Sequence, residues 1–584
     1  MIEHSHNSYL PVSREEMETR NWDAVDIVLI TGDAYVDHPG FGTAVIGRVL
    51  EAVGYRVGVI AMPDWKDPDS ITVFGKPRLF FGITSGNVDS MLSRYTAFKK
   101  VRNDDPYAPG GAGGHKPSRA LIVYSNLVRQ CYKDVAIVIG GIEASMRRFV
   151  HYDFWSDKVR RSIIQDTRAD VLAYGMSETA IVKIAERMKS GSDLQGIAGT
   201  VSLSRSKPDA GVMLPSEADM MASRKTFSEG YRLFYRNQHR LMVQPVGKRF
   251  WIHTPQNRPS TDALDRIYAL PFLRQPHPQY DESVPAFEMI RNSITAHRGC
   301  VSGCGFCSLN LHQGRRIVSR SEKSVISEVK KMSASPDFKG HVTDIGGPSA
   351  NMYGFGCSRD WICSRESCLF PDVCPNLRMG NDHWLSLLCR AKKVKNVKHV
   401  TVGSGLRYDV FMRDPEHKRH LKQLARDHIS GQLKIAPEHV DERTLRAMRK
   451  KPLFPLQNFV KAFHSASRAA GKMQYLVPYV MSCHPGSTQR AAAILRKTIK
   501  QIFGYFPEQA QAFIPLPMTL SSVIYYTGRD PLTDEKFAVM RDSGARREQH
   551  RTLLGKMRKS GAQKKKKPYI KSSLQRRSKK RKRR

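Results

Sequence analysis

The chain has 584 residues, a formal charge of +40 at neutral pH and 40% hydrophobic residues. So long a chain exceeds what one hydrophobic core organises, and several domains are expected. No apolar run reaches the roughly 18–20 residues of a membrane-crossing helix. The start "MIEHSHNSYLPVSREEMETR" is polar, with no signal-peptide core. A cytoplasmic protein without membrane contact is expected.

Residues 1–202 read as alternating strand and helix. "DIVLITG" (26–32) is a continuous apolar strand pattern closed by a glycine. "GTAVIGRVLEAVGY" then sets Ile46, Val49, Leu50 and Val53 on one helical face, with Gly54 as the stop. Further strands are expected at "RVGVIA" (56–61), "RALIVYS" (119–125), "DVAIVIGG" (134–141) and "ADVLAYG" (169–175). Fully apolar strands separated by helices predict a doubly wound parallel sheet, whose ligands bind at the strand carboxyl ends. "GGAGGHK" (110–116) fails as a phosphate loop, because Pro117 stands where Ser or Thr is required, and reads as a mobile loop. Residues 203–285 read as a helical connector followed by a proline-rich extended arm.

From residue 286 to 505 the rhythm becomes strand plus helix. Six strands are expected at 292–298, 341–347, 398–405, 432–437, 473–480 and 512–516, the last within a 506–555 segment that completes the structure. The intervening helices show the 3.6-residue period, with Val325, Ile326, Val329 and Met332 behind Ser321 as N-cap, and with Trp384, Leu387, Leu388 and Ala391. Right-handed βα units in series predict a partial (βα)6 barrel with its site at the strand carboxyl ends. Residues 556–584 carry 16 Lys or Arg and no Asp or Glu, and read as a disordered basic tail suited to RNA or ribosome contact.

Seven of the ten cysteines fall within residues 300–374, which suits metal ligation and not a disulfide framework. "HRGCVSGCGFCSLN" follows the first barrel strand and holds Cys300, Cys304 and Cys307 at spacing CxxxCxxC. Structural zinc takes four ligands, so three thiolates leave a vacancy unless His297 or His312 closes the site. A four-iron, four-sulfide cube held by three cysteines instead keeps one iron open to a chelating small molecule. Gly303 and Gly305 would let the backbone approach the sulfides.

This triplet, with Phe306 before its last cysteine, resembles the hallmark of radical S-adenosylmethionine (SAM) enzymes. "GDAYVDHPGFG", "GGIEASMRRFVHYDFWSDKVRRSI", "LPFLRQPHPQY", "RNSITAHRGC", "LKIAPEHV" and "PMTLSSVIYYTGRDP" are similar to the YgiQ-type radical SAM proteins, a bacterial family of unassigned reaction. The resemblance implies a 4Fe-4S cluster on Cys300, Cys304 and Cys307 and SAM chelated to its open iron. It further implies Phe306 near the adenine, Gly346 and Gly347 of "DIGG" at the cofactor's amino group, and Arg407 and Glu438 as further cofactor contacts. It implies an electron donor such as flavodoxin or ferredoxin. Radical SAM enzymes with a preceding doubly wound domain often bind cobalamin there, but the usual DxHxxG signature is altered here, since Asp37 and His38 are adjacent.

A second set, Cys357, Cys363, Cys368 and Cys374, lies in a cysteine-rich insertion (351–378). Four thiolates on one irregular loop predict a closed auxiliary metal site. Zinc and a second 4Fe-4S cluster are both compatible with the spacing. Glu143 with Arg147 and Arg148 suits either an anion site or buried pairing with Asp153 or Asp157. The leading expectation is a radical SAM enzyme, with RNA or a ribosomal protein as candidate substrate. The rival is a non-catalytic, metal-stabilised nucleic-acid-binding protein.

Overall fold

The computed structural model describes residues 8–359, 363, 365–507 and 510–555. The expected basic tail, 556–584, lies outside the described residues.

The N-terminal sheet is α/β and nine-stranded. Its parallel half runs, in spatial order, Val57–Ala61, Ile27–Thr31, Phe80–Thr84, Ala136–Ile139 and Val171–Ala173. These strands are almost wholly buried, as continuous apolar runs covered by helices on both faces should be. The chain moves from Ile27–Thr31 to one side and then to the other, so the crevice of a doubly wound fold opens where Ile27–Thr31 and Phe80–Thr84 end.

Three expectations need correction here. "RALIVYS" begins the helix Ala120–Cys131, not a strand. Seven apolar residues cannot separate the two periods, but over twelve the buried positions Ala120, Leu121, Tyr124, Leu127 and Val128 follow one helical face. Phe80–Thr84 is a strand that the sequence patterns do not predict, although it lies at the centre of the parallel half of the sheet. The sheet also does not end near 202. Thr200–Ser204, Arg249–His253 and Met242–Val246 extend it antiparallel, so part of the "connector and arm" is sheet. Pro245 argues against a strand, yet only Met242 and Val243 of that strand pair on its outer side, so the missing N–H costs no ladder bond there. The "GGAGGHK" loop is pinned, because Lys116 is buried with its Nζ 2.6 Å from Asp33.

The second unit has the six expected strands in sequential parallel order. Ser293–Thr295 pairs with Asp344–Gly346, and His341–Val342 with His399–Val400. A Leu406–Ile435 bridge leads to Gln432–Glu438, which pairs with Tyr475–Ser482 and that in turn with Gln511–Ala512. The result is an open, curved barrel. Ile294, Val342, Ile345, Val400, Leu433 and Ile435 pack outward against the expected helix faces, including Val325, Val329, Trp384 and Leu388. Each such side chain contributes about 1.5–3 kcal/mol by leaving water. Ser321 caps its helix through the Ser324 N–H at 3.1 Å, as its sequence position predicts.

Candidate metal centre and cofactor site

The triplet loop leaves the first barrel strand at His297–Arg298, whose backbone is held by Val318–Ser319. Three contacts shape it. Gly305 N–H donates to Met448 O at 2.8 Å, Ser521 N–H donates to Gly305 O at 2.8 Å, and Cys307 N–H to Cys304 O at 3.2 Å. Gly303 has φ +63°, and a side chain there would overlap Glu366 O and Ser367 of the second cysteine loop. Its small size therefore serves loop-to-loop contact within the protein.

Burial pushes the Cys307 thiol up to about 12, with the neighbouring Cys304 and Cys300 thiols adding to it. Burial also raises Cys304, against the opposing fields of Lys450 and Arg407. Thiols so placed hold protons until a cation displaces them. Two cations stand beside them. Arg407 is buried, donates through Nη1 to Ser302 Oγ at 2.5 Å, and forks onto Asp409 at 2.7 and 3.1 Å. Burial works against its charge, but Asp409 and the thiols hold it above its ordinary range. The Lys450 ammonium lies 3.5 Å from Glu438 and donates to Ala436 O.

Glu438 closes the fourth strand with φ +65°, a conformation a non-glycine residue adopts only when its surroundings impose it. Phe306 stands edge-on to His484, with ring centroids 6.1 Å apart. Gly346 and Gly347 sit where the second strand ends, and a side chain at Gly347 would meet His297 Nε2 at 2.6 Å. Asp344, at the head of "DIGG", accepts from Gly403 N–H at 2.9 Å and from Ser404 N–H at 3.1 Å, and burial raises its carboxyl. The expected residues thus line one rim. Lys450 and Asp409 belong to it too, and the sequence reading did not name them. "RKK" looks like solvated surface charge until the fold turns Lys450 inward.

The second loop is hinged by a short antiparallel pair, Gly356–Cys357 with Leu377–Arg378. Cys374 N–H donates to Cys368 O at 2.8 Å, and Cys374 is buried. Burial and the other three thiols push Cys368 up to about 11, which Arg315 partly offsets. The loop is tied directly to the triplet. Cys368 N–H donates to Val301 O at 3.0 Å, and Ser367 Oγ to Ser302 O at 2.5 Å. Tetrahedral zinc, with Zn–S near 2.3 Å, would bring its sulfurs to about 3.8 Å from one another. Among the described residues, no three cysteine sulfurs converge within 4.8 Å. Neither does His297 or His312 join such a group with them.

Most charges on the N-terminal sheet edge pair with one another, and buried Glu143 instead accepts from Ser90 N–H at 2.9 Å. Asp37 is held by Arg48, Asp89 by Arg147, and Asp153 by Arg119 at 2.9 Å. Arg147 thus finds Asp89, a partner the sequence reading did not name, and Arg148 lies over Tyr174 at 4.3 Å. His38 Nδ1 accepts from Gly40 N–H at 2.9 Å, and its ring packs between Phe41 and Phe287.

A family profile described as "Radical SAM N-terminal" matches residues 9–293, and one for a domain of unknown function (DUF3362) matches 508–567. A "UPF0313 protein" from Methanocella arvoryzae is 43% identical over 556 residues, covering 93% of this chain and 92% of its own. Another from Clostridium botulinum (Loch Maree) is 43% identical over 94% of this chain and 87% of its own. Among solved structures, the radical SAM methyltransferase TsrM from Kitasatospora setae, with cobalamin and a [4Fe-4S] cluster bound, superimposes with TM-score 0.51 at 14% identity. It covers 85% of this chain and 77% of that one, a likeness of fold.

Proposed function

The chain belongs to the UPF0313 family and has a radical SAM architecture, and on that premise we propose that Cys300, Cys304 and Cys307 hold a 4Fe-4S cluster that chelates SAM. The observation that carries this reading is three thiols on one loop at a barrel strand end, beside the cations Arg407 and Lys450. Held by Cys300, Cys304 and Cys307, such a cluster would supply the single electron that cleaves the SAM sulfonium to methionine and a hydrogen-abstracting 5′-deoxyadenosyl species. The electron comes from a low-potential flavodoxin or ferredoxin.

The protein's own residues bind and orient. Gly346 and Gly347 offer backbone to the amino group of SAM, and Phe306 packs on the adenine. Arg407, fixed by Asp409, offsets thiolate charge. Glu438, positioned by Lys450, accepts a hydrogen bond from the cofactor. Cys357, Cys363, Cys368 and Cys374 form the auxiliary centre, for a second 4Fe-4S cluster or zinc, and metal and sulfide analysis distinguishes the two. As for cobalamin, Asp37 is engaged by Arg48, and the neutral His38 ring, whose Nδ1 accepts from Gly40 N–H, carries its proton on the unpartnered Nε2, so neither is a ready cobalt ligand. The substrate is proposed to be RNA or a ribosomal protein, drawn by the 16 basic residues of 556–584.

Anaerobic reconstitution followed by dithionite and SAM tests the central claim. 5′-Deoxyadenosine should form. If none appears and the Cys300→Ala protein keeps its full iron content, the reading fails. Deleting 556–584 should lower RNA affinity and its salt slope while leaving SAM cleavage intact.

A further inference from the structure

A cavity of about 450 Å³ lies between the two units, at the strand crevice of the N-terminal sheet. Its volume and its place, a domain interface at a topological switch point, are those of small-molecule sites. One wall is backbone: Gly82, Gly140, Gly141 and Gly175 present strand ends without side chains. Phe41, Tyr107 and Tyr268 supply aromatic surface, and Ala173 and Ile181 close the depth. The opposite wall comes from the barrel unit through Thr295, Arg298, His312 and Gln313.

The polar groups here are few, and their hydrogen bonds fix which way each one acts. Ser145 Oγ donates its single proton to Gly141 O at 2.9 Å and accepts from Gly175 N–H at 2.8 Å. It stands 2.9 Å from His312 Nδ1, and with the hydroxyl proton assigned to Gly141 O the imidazole is the donor in that contact. His312 Nε2 is left with a free lone pair. Burial, against the field of Glu178 and with Arg298 and Arg148 nearby, lowers this ring to about 4 and keeps it neutral. The amide oxygens of Asn87 and Gln313 are taken by the N–H groups of Gly42 at 3.0 Å and Gly299 at 3.1 Å, which leaves each an NH2 donor.

Net charge is absent as well. Arg298 is matched by Glu178 at 2.5 Å. Glu178 also starts the helix Glu178–Ser190, so its carboxylate offsets the positive end that would otherwise attract a phosphate.

We propose that this cavity binds an uncharged, flat heteroaromatic molecule that gives a ring N–H to His312 Nε2 and takes hydrogen bonds from Asn87 and Gln313. A flat ring suits a glycine wall, an anion finds no unmatched cation, and a pure hydrocarbon would leave three polar groups unpaired. The site rests on the cavity alone and not on the radical reading.

Lumichrome, a fluorescent tricycle with one ring N–H between two carbonyls, is a suitable probe for the anaerobically purified full-length protein. Titration should saturate at one equivalent with micromolar affinity. Its 3-methyl derivative should bind the unaltered protein about tenfold more weakly, as should lumichrome the His312→Phe variant, each losing one hydrogen bond. Ala173→Leu, which fills the cavity, should abolish binding while the melting temperature stays near that of the parent. The proposal is overturned by a linear, non-saturating titration, or by equal affinity for the methylated probe. It is equally overturned if hydroxocobalamin displaces lumichrome and binds more tightly, since the site would then be a corrinoid's.

Discussion

Both units end their parallel strands on the same side of a sheet, where ligands of such folds bind, yet the two edges are furnished in opposite ways. On the N-terminal edge most buried charges are closed into pairs, Asp33 with Lys116, Asp37 with Arg48 and Asp89 with Arg147, while Arg148 stacks on Tyr174 and Glu143 accepts from Ser90 N–H. What remains open is glycine backbone and apolar surface. On the barrel edge Arg407 and Lys450 each touch a carboxylate but also act on Cys304. The comparison teaches that strand direction fixes where a site lies, and charge pairing fixes what kind of site it is.

The largest effect should come from removing the thiols. Cys300→Ala should strip about four irons from the protein and abolish 5′-deoxyadenosine formation, read by iron analysis and chromatography. The paired edge breaks differently. Lys116→Met leaves Asp33 buried and unmatched, which should cost about 3–5 kcal/mol in denaturant unfolding while SAM affinity stays unchanged.

Acid should act on both edges. Burial lowers His151 in the first unit and His439 in the barrel to about 4. Below pH 6.5 the unfolded chain takes up protons that the folded one refuses, so stability falls from pH 6.5 down to about 4. Each ring contributes up to about 3 kcal/mol of that loss. Replacing His151 by Asn should flatten the profile of melting temperature against pH.

Two subtler changes sharpen the barrel side. Arg407→Lys keeps the charge but loses the fork on Asp409, and should weaken SAM binding about tenfold with iron content retained. Glu438→Gly should relieve its positive φ, stabilising the fold by about 1 kcal/mol while lowering SAM affinity. A variant that lost affinity without gaining stability would argue against strain at that position.

The sequence makes the barrel legible because six strand–helix units repeat and the helix faces carry a clean period. It was less legible where apolar runs were short. "RALIVYS" is compatible with either period, and "LFFGIT" lies between turns without a helix before it. The hairpin strand containing Pro245 was hidden by a residue that usually excludes strands. At the site, the cysteines were readable by spacing, whereas Lys450 became visible only once the chain folded it against Glu438 and Ala436. The pairing of Arg147 with Asp89 joins residues 58 positions apart, and no local pattern encodes it.

The hydrogen bond from Cys368 to Val301 carries a consequence for assembly. Backbone order in one cysteine loop is a condition for order in the other, so loading metal at either should proofread the geometry of its neighbour. If both loops hold the proposed clusters, oxidation that opens one should release iron from both in a single kinetic phase, a shared fate that the separate positions of the two cysteine sets in the chain conceal.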